Sequence, residues 1–363
     1  MRFGRVIGVI VALVLIAAAG FWVLSAPRPV DASTVPTMPG DATRGALVFW
    51  AGGCVSCHIS PNAPTTAALP MLGGGKPLVS KFGTFYPPNI SPDKDTGIGT
   101  WTMVDFVNAM KRGITPDGTH LYPSFPYTSY QRLTMGDLAD LKAFLATLPA
   151  VHAVNKTDQL PFPLNIRRGL GIWKLLFLDG KEFQPDPAAS DQVNRGHYLV
   201  DGAGHCNECH TPRTLFGLGG LDMAHALGGA PNPTGRGRAA NITTGKNGIG
   251  NKSADDLVSD FELGGDFGGV MAEVQQNIAH LPDADIQAIV AWLKAVPPQD
   301  GPPRRAGGGR PANGQAGGGA SGASTSDTAG QATTATTAAP DAATPPAAAE
   351  TTTPPAAAAT TTQ

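Results

Sequence analysis

The chain has 363 residues, of which 42% are hydrophobic and 15% are charged, and its formal net charge at pH 7 is −2. This length allows two or more domains, and the near-neutral charge gives no support for nucleic-acid binding. The chain has only four cysteines. None is left for a structural disulfide if, as argued below, all four attach a cofactor.

The N-terminus carries an apolar stretch that could cross a membrane. Arg2 and Arg5 precede an uncharged run from Val6 to Leu24, which is about the length of a transmembrane helix. We expect an uncleaved anchor with its positive end inside, because the run is longer than a usual signal-peptide core and Pro27 disfavours cleavage after Ala26. A cleaved signal peptide is the alternative. In both cases the rest of the chain lies outside the cytoplasm, and the anchor predicts a single-pass protein of the cell inner membrane.

All four cysteines fall in two Cys-x-x-Cys-His motifs, Cys54–His58 and Cys206–His210. Two thiols at this spacing can reach both vinyl groups of a porphyrin, and the adjacent His brings an imidazole nitrogen to the iron. The motifs therefore predict two covalently bound haem c groups. The predicted attachment residues are Cys54, Cys57, Cys206 and Cys209, and the predicted iron ligands are His58 and His210.

Other Cys-x-x-Cys chemistries fit less well. Such a pair is also a zinc half-site or a thioredoxin-like redox pair. The pairs of a zinc ribbon lie about 15 to 20 residues apart, whereas these lie about 150 residues apart and each is followed by His. Haem attachment is the favoured interpretation, and it agrees with a location in the periplasm, where haem c is attached.

The sequence contains an internal repeat at an offset of about 150 residues. Its matching runs are Arg44-Gly45 with Arg195-Gly196, Asn89-Ile90 with Asn241-Ile242, and Gly97-Ile98-Gly99 with Gly248-Ile249-Gly250. Capping residues predict opening helices from Asp41 to about Gly52 and from Ser190 to about Gly202. Apolar spacing predicts closing helices that begin near Thr134 and Pro282 and end at Leu148-Pro149 and Val296-Pro297. Between them the chain is rich in Gly, Pro and Asn, which predicts loops around each haem.

These features predict an all-α fold with two tandem haem domains, an N-terminal transmembrane helix and a disordered C-terminal tail. The predicted boundaries are 1–26 for the anchor or signal, 27–40 for a linker, 41–150 for domain 1, 151–189 for an interdomain segment, 190–298 for domain 2 and 299–363 for the tail. The tail is rich in Ala, Thr and Pro and has too few large apolar residues to form a core. A tether to the cell wall or to a partner is its alternative role.

The interdomain segment mixes basic, aromatic and aliphatic residues between Arg167 and Phe177. This mixture suits a helix that packs between the domains, which is the default interpretation. A surface that lies against a membrane or a partner protein is the alternative.

Several runs resemble one family of electron-transfer proteins. They are Phe85–Ile90, Asp95–Gly99, Leu121–Pro123, Pro126-Tyr127, Cys206–Arg213 and Gly269–Val274. Over Asp41 to Pro298 the chain resembles the dihaem and multihaem membrane-bound cytochromes c that serve periplasmic dehydrogenases, such as the cytochrome subunits of alcohol and gluconate dehydrogenases. The resemblance implies two cytochrome c-type domains in the periplasm.

The resemblance also implies the sixth iron ligands. Met271 matches the family's axial methionine in the second domain, but Phe125 stands where the first domain of the family has methionine. Met135 is the first choice as a replacement, and His120, Met110 or no protein ligand are the alternatives. Asn89, Asn241 and Trp101 fall where the family packs loops around the haem edge and the propionates, although an ordinary turn or core role fits them as well.

Two functions from different classes follow from the resemblance. The favoured one is a carrier without catalytic residues, which takes electrons from the catalytic subunit of a periplasmic dehydrogenase and passes them to quinone, an oxidase or another cytochrome of the respiratory chain. The alternative is a dihaem enzyme such as a cytochrome c peroxidase, which works through an open iron position and which Phe125 keeps under consideration. The substrate of the donor dehydrogenase does not follow from this sequence.

Overall fold

A computed structural model describes residues 2–35, 37, 39–64, 67–233, 235, 237–265 and 267–301. The predicted tail lies outside the described residues from residue 302 onward. Its first residues, 299–301, are held in place, because the Gln299 backbone carbonyl accepts a hydrogen bond from Asn241 and the Gly301 amide donates to Lys246.

The described part of the chain is mostly helical. Its α-helices are α1 Arg2–Leu24, α2 Ala42–Ala51, α3 Cys54–His58, α4 Met103–Val107, α5 Tyr127–Tyr130, α6 Met135–Leu145, α7 Gly169–Phe177, α8 Asp191–Asp201, α9 Asn207–His210, α10 Ala254–Ser259, α11 Val270–Ile278 and α12 Asp283–Ala295. Helices α4 and α10 each continue into a π-helical turn, at Asn108–Arg112 and Asp260–Gly264. The 3₁₀ turns are Ala32–Thr34, Leu215–Gly217 and Met223–His225.

Two small antiparallel hairpins correct the all-α prediction. Strands β1 Leu78–Ser80 and β2 Gly83–Phe85 form the first hairpin, and β3 Ala230–Pro231 and β4 Arg238–Ala239 form the second. Both hairpins lie in the segments that were predicted as loops. They are too short to give a periodic pattern, which is why the sequence did not reveal them.

The opening and closing helices of each repeat cross closely. Helix α2 packs on α6, and α8 packs on α12. A Cβ atom on Gly45 would lie 1.9 Å from the carbonyl oxygen of Asp140, and one on Gly196 would lie 1.8 Å from that of Ala288. Only glycine therefore permits either crossing, which explains why it recurs at both positions of the repeat.

The helix ends follow the predicted capping residues. Asp41 caps α2 by accepting hydrogen bonds from the Thr43 and Arg44 amides, and Thr134 and Ser190 cap α6 and α8. These helices confirm the predicted opening and closing elements, although α6 ends at Leu145, before the predicted Leu148. Met135 is the first residue of α6 rather than part of the loop before it, because the cap at Thr134 starts the helix there.

Helix α1 is long and apolar enough to cross a membrane over Phe3–Leu24. Its apolar side chains are exposed along its length. Such a surface is stable in lipid and costly in water, so α1 fits either a membrane anchor or a signal sequence.

Candidate haem-binding sites

Each Cys-x-x-Cys-His motif begins directly after an opening helix. The residue before the first cysteine is in the left-handed region in both repeats, with φ of 56° at Gly53 and 39° at His205. This turn lets the chain reverse from α2 into α3, and from α8 into α9. His205 carries a side chain in this unfavourable conformation, and its ring is fixed by a 3.2 Å hydrogen bond from Nε2 to the carbonyl oxygen of Gly52.

All four thiols are largely shielded from water, and Cys54 and Cys206 pack against the apolar core. Burial raises the pKa of Cys54 and of Cys206 to about 12 and that of Cys209 to about 11, and it also raises the pKa of Cys57. A redox-active Cys-x-x-Cys pair needs a lowered pKa, since the thiolate is its nucleophile. The thioredoxin-like alternative is therefore disfavoured.

The two motif histidines are held in the same way. His58 Nδ1 donates to the carbonyl oxygen of Pro88 at 2.8 Å, and His210 Nδ1 donates to that of Ala240 at 2.7 Å. Burial lowers the pKa of both imidazoles, which favours their neutral form. With Nδ1 carrying the proton, Nε2 keeps its lone pair for iron, as in metal sites where a backbone carbonyl orients the ligand histidine. The donor set of each motif therefore fits a covalent haem c.

The loop after each motif is fixed by an asparagine rather than left free to meet a cofactor. Asn89 donates its side-chain amide to the carbonyl oxygen of Val151 at 2.6 Å and accepts from the Ser91 amide at 2.9 Å. Asn241 likewise donates to Gln299 at 2.6 Å and accepts from Thr243 at 2.8 Å. Their polar atoms are engaged by the loop and by the segment after the closing helix, which favours a structural role over contact with a propionate.

Trp101 and the methionines of the predicted ligand set lie against the apolar core. Trp101, Met135 and Met271 are partly buried on it, and Met110 is buried within it with 6% of its surface exposed. Met271 lies in the first turn of α11. Helix α11 is bound to the preceding π-helical turn, because Gln275 donates to the carbonyl oxygen of Phe261 at 2.8 Å.

Met110 occupies the position in the first repeat that Phe261 occupies in the second. Both residues lie in π-helical turns, Asn108–Arg112 and Asp260–Gly264. The first of these turns contacts α5, which begins two residues after Phe125. Met110 therefore lies in a turn that contacts the helix following Phe125.

His120 is fully engaged and is not available to iron. Its Nε2 donates to the carbonyl oxygen of Ser25 at 2.9 Å, and its Nδ1 accepts from Lys174 Nζ at 3.1 Å. An imidazole has only these two nitrogens. The alternative that placed His120 on the first iron is thus disfavoured.

Each motif contacts the other repeat through a side-chain hydrogen bond. Asn277 of the second repeat donates to Ser56 in the first motif at 2.9 Å, and Thr128 of the first repeat donates to Glu208 in the second motif. Ser56 and Glu208 are at matching positions of the repeat. The contact of His205 with Gly52 places the starts of the two motifs side by side.

The sequence did not predict that the side chains of Glu208 and Tyr130 take part in this contact between the repeats. The carboxylate of Glu208 is held by Arg213 and is also within 3.3 Å of the Ser129 hydroxyl. Tyr130 packs edge-on against His205 with ring centroids 5.8 Å apart. Burial raises the pKa of Tyr130 well above its ordinary value, so this phenol stays neutral. Their importance depends on how the repeats pack, for which the sequence holds no local signal.

Comparison with known proteins agrees with this geometry. The cytochrome c family profile matches residues 42–149. A protein named "Diheme cytochrome c-type" from Cereibacter sphaeroides is 48% identical over 289 residues, which cover 79% of this chain and 96% of that protein. The chain belongs to the dihaem cytochrome c family. As a member of this family, it binds haem c covalently.

Other relatives of this cytochrome are subunits of larger enzymes. The fructose dehydrogenase cytochrome subunit of Gluconobacter japonicus is 38% identical over 74% of this chain, and the gluconate 2-dehydrogenase cytochrome c subunit of Pantoea cypripedii is 37% identical over 71% of it. The chain spans only 55% and 60% of those two proteins. These relatives lend no support to the peroxidase alternative.

Proposed function

We propose that this cytochrome is a two-haem relay that receives electrons from a dehydrogenase and passes them on to a respiratory acceptor. The contact between the residues that closely precede the two motifs carries the proposal. His205 and Gly52, which lie just before the first cysteines, are joined by a hydrogen bond. Because electron tunnelling weakens steeply with distance, adjacent motifs suit transfer within the chain.

The proposed attachment residues are the four cysteines, with His58 and His210 as the first iron ligands. A haem c bound at each motif supplies a one-electron iron centre. The chain keeps each ligand imidazole neutral and oriented through Pro88 and Ala240, and its apolar core packs against Cys54 and Cys206. Low polarity around such a site limits the reorganisation that accompanies a change of charge.

For the sixth ligands we propose Met271 in the second repeat and Met110 in the first. Met110 replaces Met135 as the first choice, because its turn contacts α5 beside Phe125. Met135 starts α6 next to Thr134, whose amide is bound by Tyr198 of the other repeat at 3.0 Å. The first turn of α6 thus faces the contact between the repeats.

We also propose a place for the relay in the cell. Helix α1 anchors the chain in the inner membrane, and the haem domains lie in the periplasm. The relatives named as cytochrome subunits of sugar-acid and sugar dehydrogenases support a dehydrogenase catalytic subunit as the electron donor. Quinone or a downstream cytochrome or oxidase is the proposed acceptor.

The test is to purify the tagged chain from detergent-solubilised membranes and to identify the dehydrogenase that accompanies it. A pyridine haemochrome assay should give two haems per chain that acidified acetone does not extract. Addition of the substrate of the accompanying enzyme should then reduce the two haem irons, and the change in the haem absorption bands measures this reduction.

Two results would contradict the relay. One is a preparation in which the dehydrogenase turns over while both haems stay oxidised. The other is rapid consumption of hydrogen peroxide by the chain alone, which would revive the peroxidase alternative.

The matched control is His210→Met, which should leave the first haem reducible and alter the spectrum of the second.

A further inference from the structure

An exposed apolar surface lies beside the end of α1. We call it the platform, and it consists of α7 and the turn 214–220. Its exposed apolar side chains are Leu175, Leu176, Leu215, Phe216 and Leu218. Leu176 is 69% exposed and Phe216 is 100% exposed. Contiguous exposed side chains of this kind usually mark a surface that is covered in the working protein.

The platform is fixed to the last turn of α1. Arg168, at the start of α7, donates to the Ser25 hydroxyl at 2.9 Å and to the carbonyl oxygen of Trp22 at 2.7 Å. A Cβ atom on Gly171 would lie 2.2 Å from the carbonyl oxygen of Ser25, so α7 and the end of α1 are in direct backbone contact. His120 adds its hydrogen bond to the same carbonyl group. The platform therefore keeps a fixed position relative to α1.

The turn of the platform holds an apolar ring in an unfavourable place. Leu215 and Phe216 have φ of 49° and 56°, in the left-handed region. Such a conformation is unfavourable for a residue with a side chain. Trp173 of α7 donates to the carbonyl oxygen of Leu218 at 2.7 Å, and Lys81 Nζ donates to that of Phe216 at 3.1 Å. These bonds hold Phe216 outward, which is unfavourable in water and favourable against an apolar phase.

The position of the platform identifies that phase. Trp22 is a typical residue of the membrane–water boundary, and the Arg168 guanidinium lies 4.2 Å from the centroid of its ring. A helix rises about 1.5 Å per residue, so α7 carries Leu176 no more than about 12 Å from the Arg168 end. The cations Arg168 and Lys81 would lie near lipid phosphates, while the apolar side chains would meet the outer part of the acyl layer.

We propose that the platform lies in the interfacial layer of the membrane that α1 crosses. This inference rests on the proposed membrane anchoring of α1. Helix α1 and the platform together form two points of attachment, which orient the haem domains relative to the bilayer. A chain held by α1 alone would be free to rotate about that helix.

The test measures how fast a charged, membrane-impermeant maleimide alkylates single introduced cysteines. The full chain is reconstituted in phosphatidylcholine–phosphatidylglycerol vesicles, selecting molecules whose haem domains face outward. The platform variants are Phe216→Cys and Leu176→Cys. Leu263→Cys is the matched control, since Leu263 is 82% exposed and lies in the second repeat, and Leu13→Cys reports on α1. The parent chain checks that its own thiols do not react, and rates in denaturant normalise the reactivity of each thiol.

We expect both platform variants to react at least about tenfold more slowly than Leu263→Cys in vesicles, and Leu13→Cys to be unreactive. Platform variants that react as fast as Leu263→Cys, with Leu13→Cys still protected, would overturn the platform and leave the anchor standing. The platform would then be a surface for a protein partner. Rapid reaction of Leu13→Cys would instead remove the anchor on which the inference rests. Unchanged haem spectra establish that each variant is folded.

Discussion

Lys174 is a cation buried where α7 meets the first repeat. Its Nζ donates to the carbonyl oxygen of Gly113 at 2.6 Å and to His120 at 3.1 Å, and it lies 4.8 Å from the ring centroid of Tyr127. Burial lowers the pKa of Lys174 to about 7 from an ordinary 10.5. The folded chain therefore loses this proton more easily than the unfolded chain does. Below about pH 7 Lys174 is charged in both states, and the cost of burying its charge lowers the free energy of unfolding in full. This cost disappears as the pH rises from about 7 to about 10.5.

We expect the stability of Lys174→Met relative to that of the parent to fall by a few kcal/mol between about pH 6 and about pH 10. The variant has no charge to bury, whereas the parent gains stability as Lys174 loses its proton. Denaturant unfolding of both chains at a series of pH values measures the difference. Titrating groups other than His120, whose pKa the Lys174 charge helps to lower, cancel in the comparison. A stability difference that does not change with pH would show that Lys174 titrates normally.

The second residue-scale prediction concerns the sixth iron ligands. Methionine sulfur gives a weak long-wavelength charge-transfer band and a higher reduction potential than a second imidazole does. Met271→His should remove one haem's share of the band and lower that haem's potential. Met110→Leu should remove the other share, whereas Met135→Leu, the control, should leave spectrum and potentials unchanged. If Met135→Leu removes the band and Met110→Leu does not, then the choice between these two residues is wrong.

At the scale of elements, the crossing of opening and closing helices depends on a single glycine in each repeat. Asp41, Thr134 and Ser190 are local signals for the helix starts, which is why the sequence predicted these helices well. The π-helical turns that follow α4 and α10 could not be predicted in this way. The π-helical turns pack against α5 and α11, and those contacts come from later parts of the chain. Such packing decides whether the last turn of α4 or α10 becomes π-helical.

We expect Gly45→Ala and Gly196→Ala each to cost several kcal/mol of stability, because the new methyl group would collide with a backbone carbonyl of the closing helix. Gly136→Ala is the control. It also lies in a helix, α6, but a Cβ atom there would be 3.7 Å from its nearest neighbour, the Thr134 hydroxyl. Because alanine favours helix over glycine, this variant should be as stable as the parent or slightly more stable. Thermal unfolding checks all three, and equal effects at positions 45 and 136 would contradict the close crossing.

At the scale of the molecule, the repeats share an interface that joins residues 153 positions apart, as in the contact of His205 with Gly52. The sequence revealed the repeat and the attachment residues, since both are short linear patterns. It did not reveal that Thr128 would bind Glu208 of the second motif or that Tyr130 would pack against His205, because that depends on how the two copies pack. It also left Met110 and Met135 undecided, since helical spacing alone does not show which side chain faces the first site.

Tyr198 links the two copies away from the haem motifs. Its hydroxyl accepts from the Thr134 amide at 3.0 Å and donates to Asp137, while its ring packs on Phe183 of the interdomain segment with centroids 5.4 Å apart. An interface with buried polar pairs of this kind should make the copies unfold together. The ion pair of Lys76 with Glu273 also crosses between the copies, but both side chains are substantially exposed.

We expect Tyr198→Phe to lower the stability of the whole haem-containing unit by about 1 to 2 kcal/mol, because the Thr134 amide and the Asp137 carboxylate lose their partner. Unfolding followed by far-ultraviolet circular dichroism and by haem absorption should still give a single, coincident transition. Glu273→Gln is the control and should change stability by less than about 1 kcal/mol, since an exposed ion pair contributes little. Two separate transitions in the parent, or a Tyr198→Phe effect confined to one of them, would show that the repeats are independent domains. The contact between the motifs would then be too weak to hold the haems of a relay at a fixed separation.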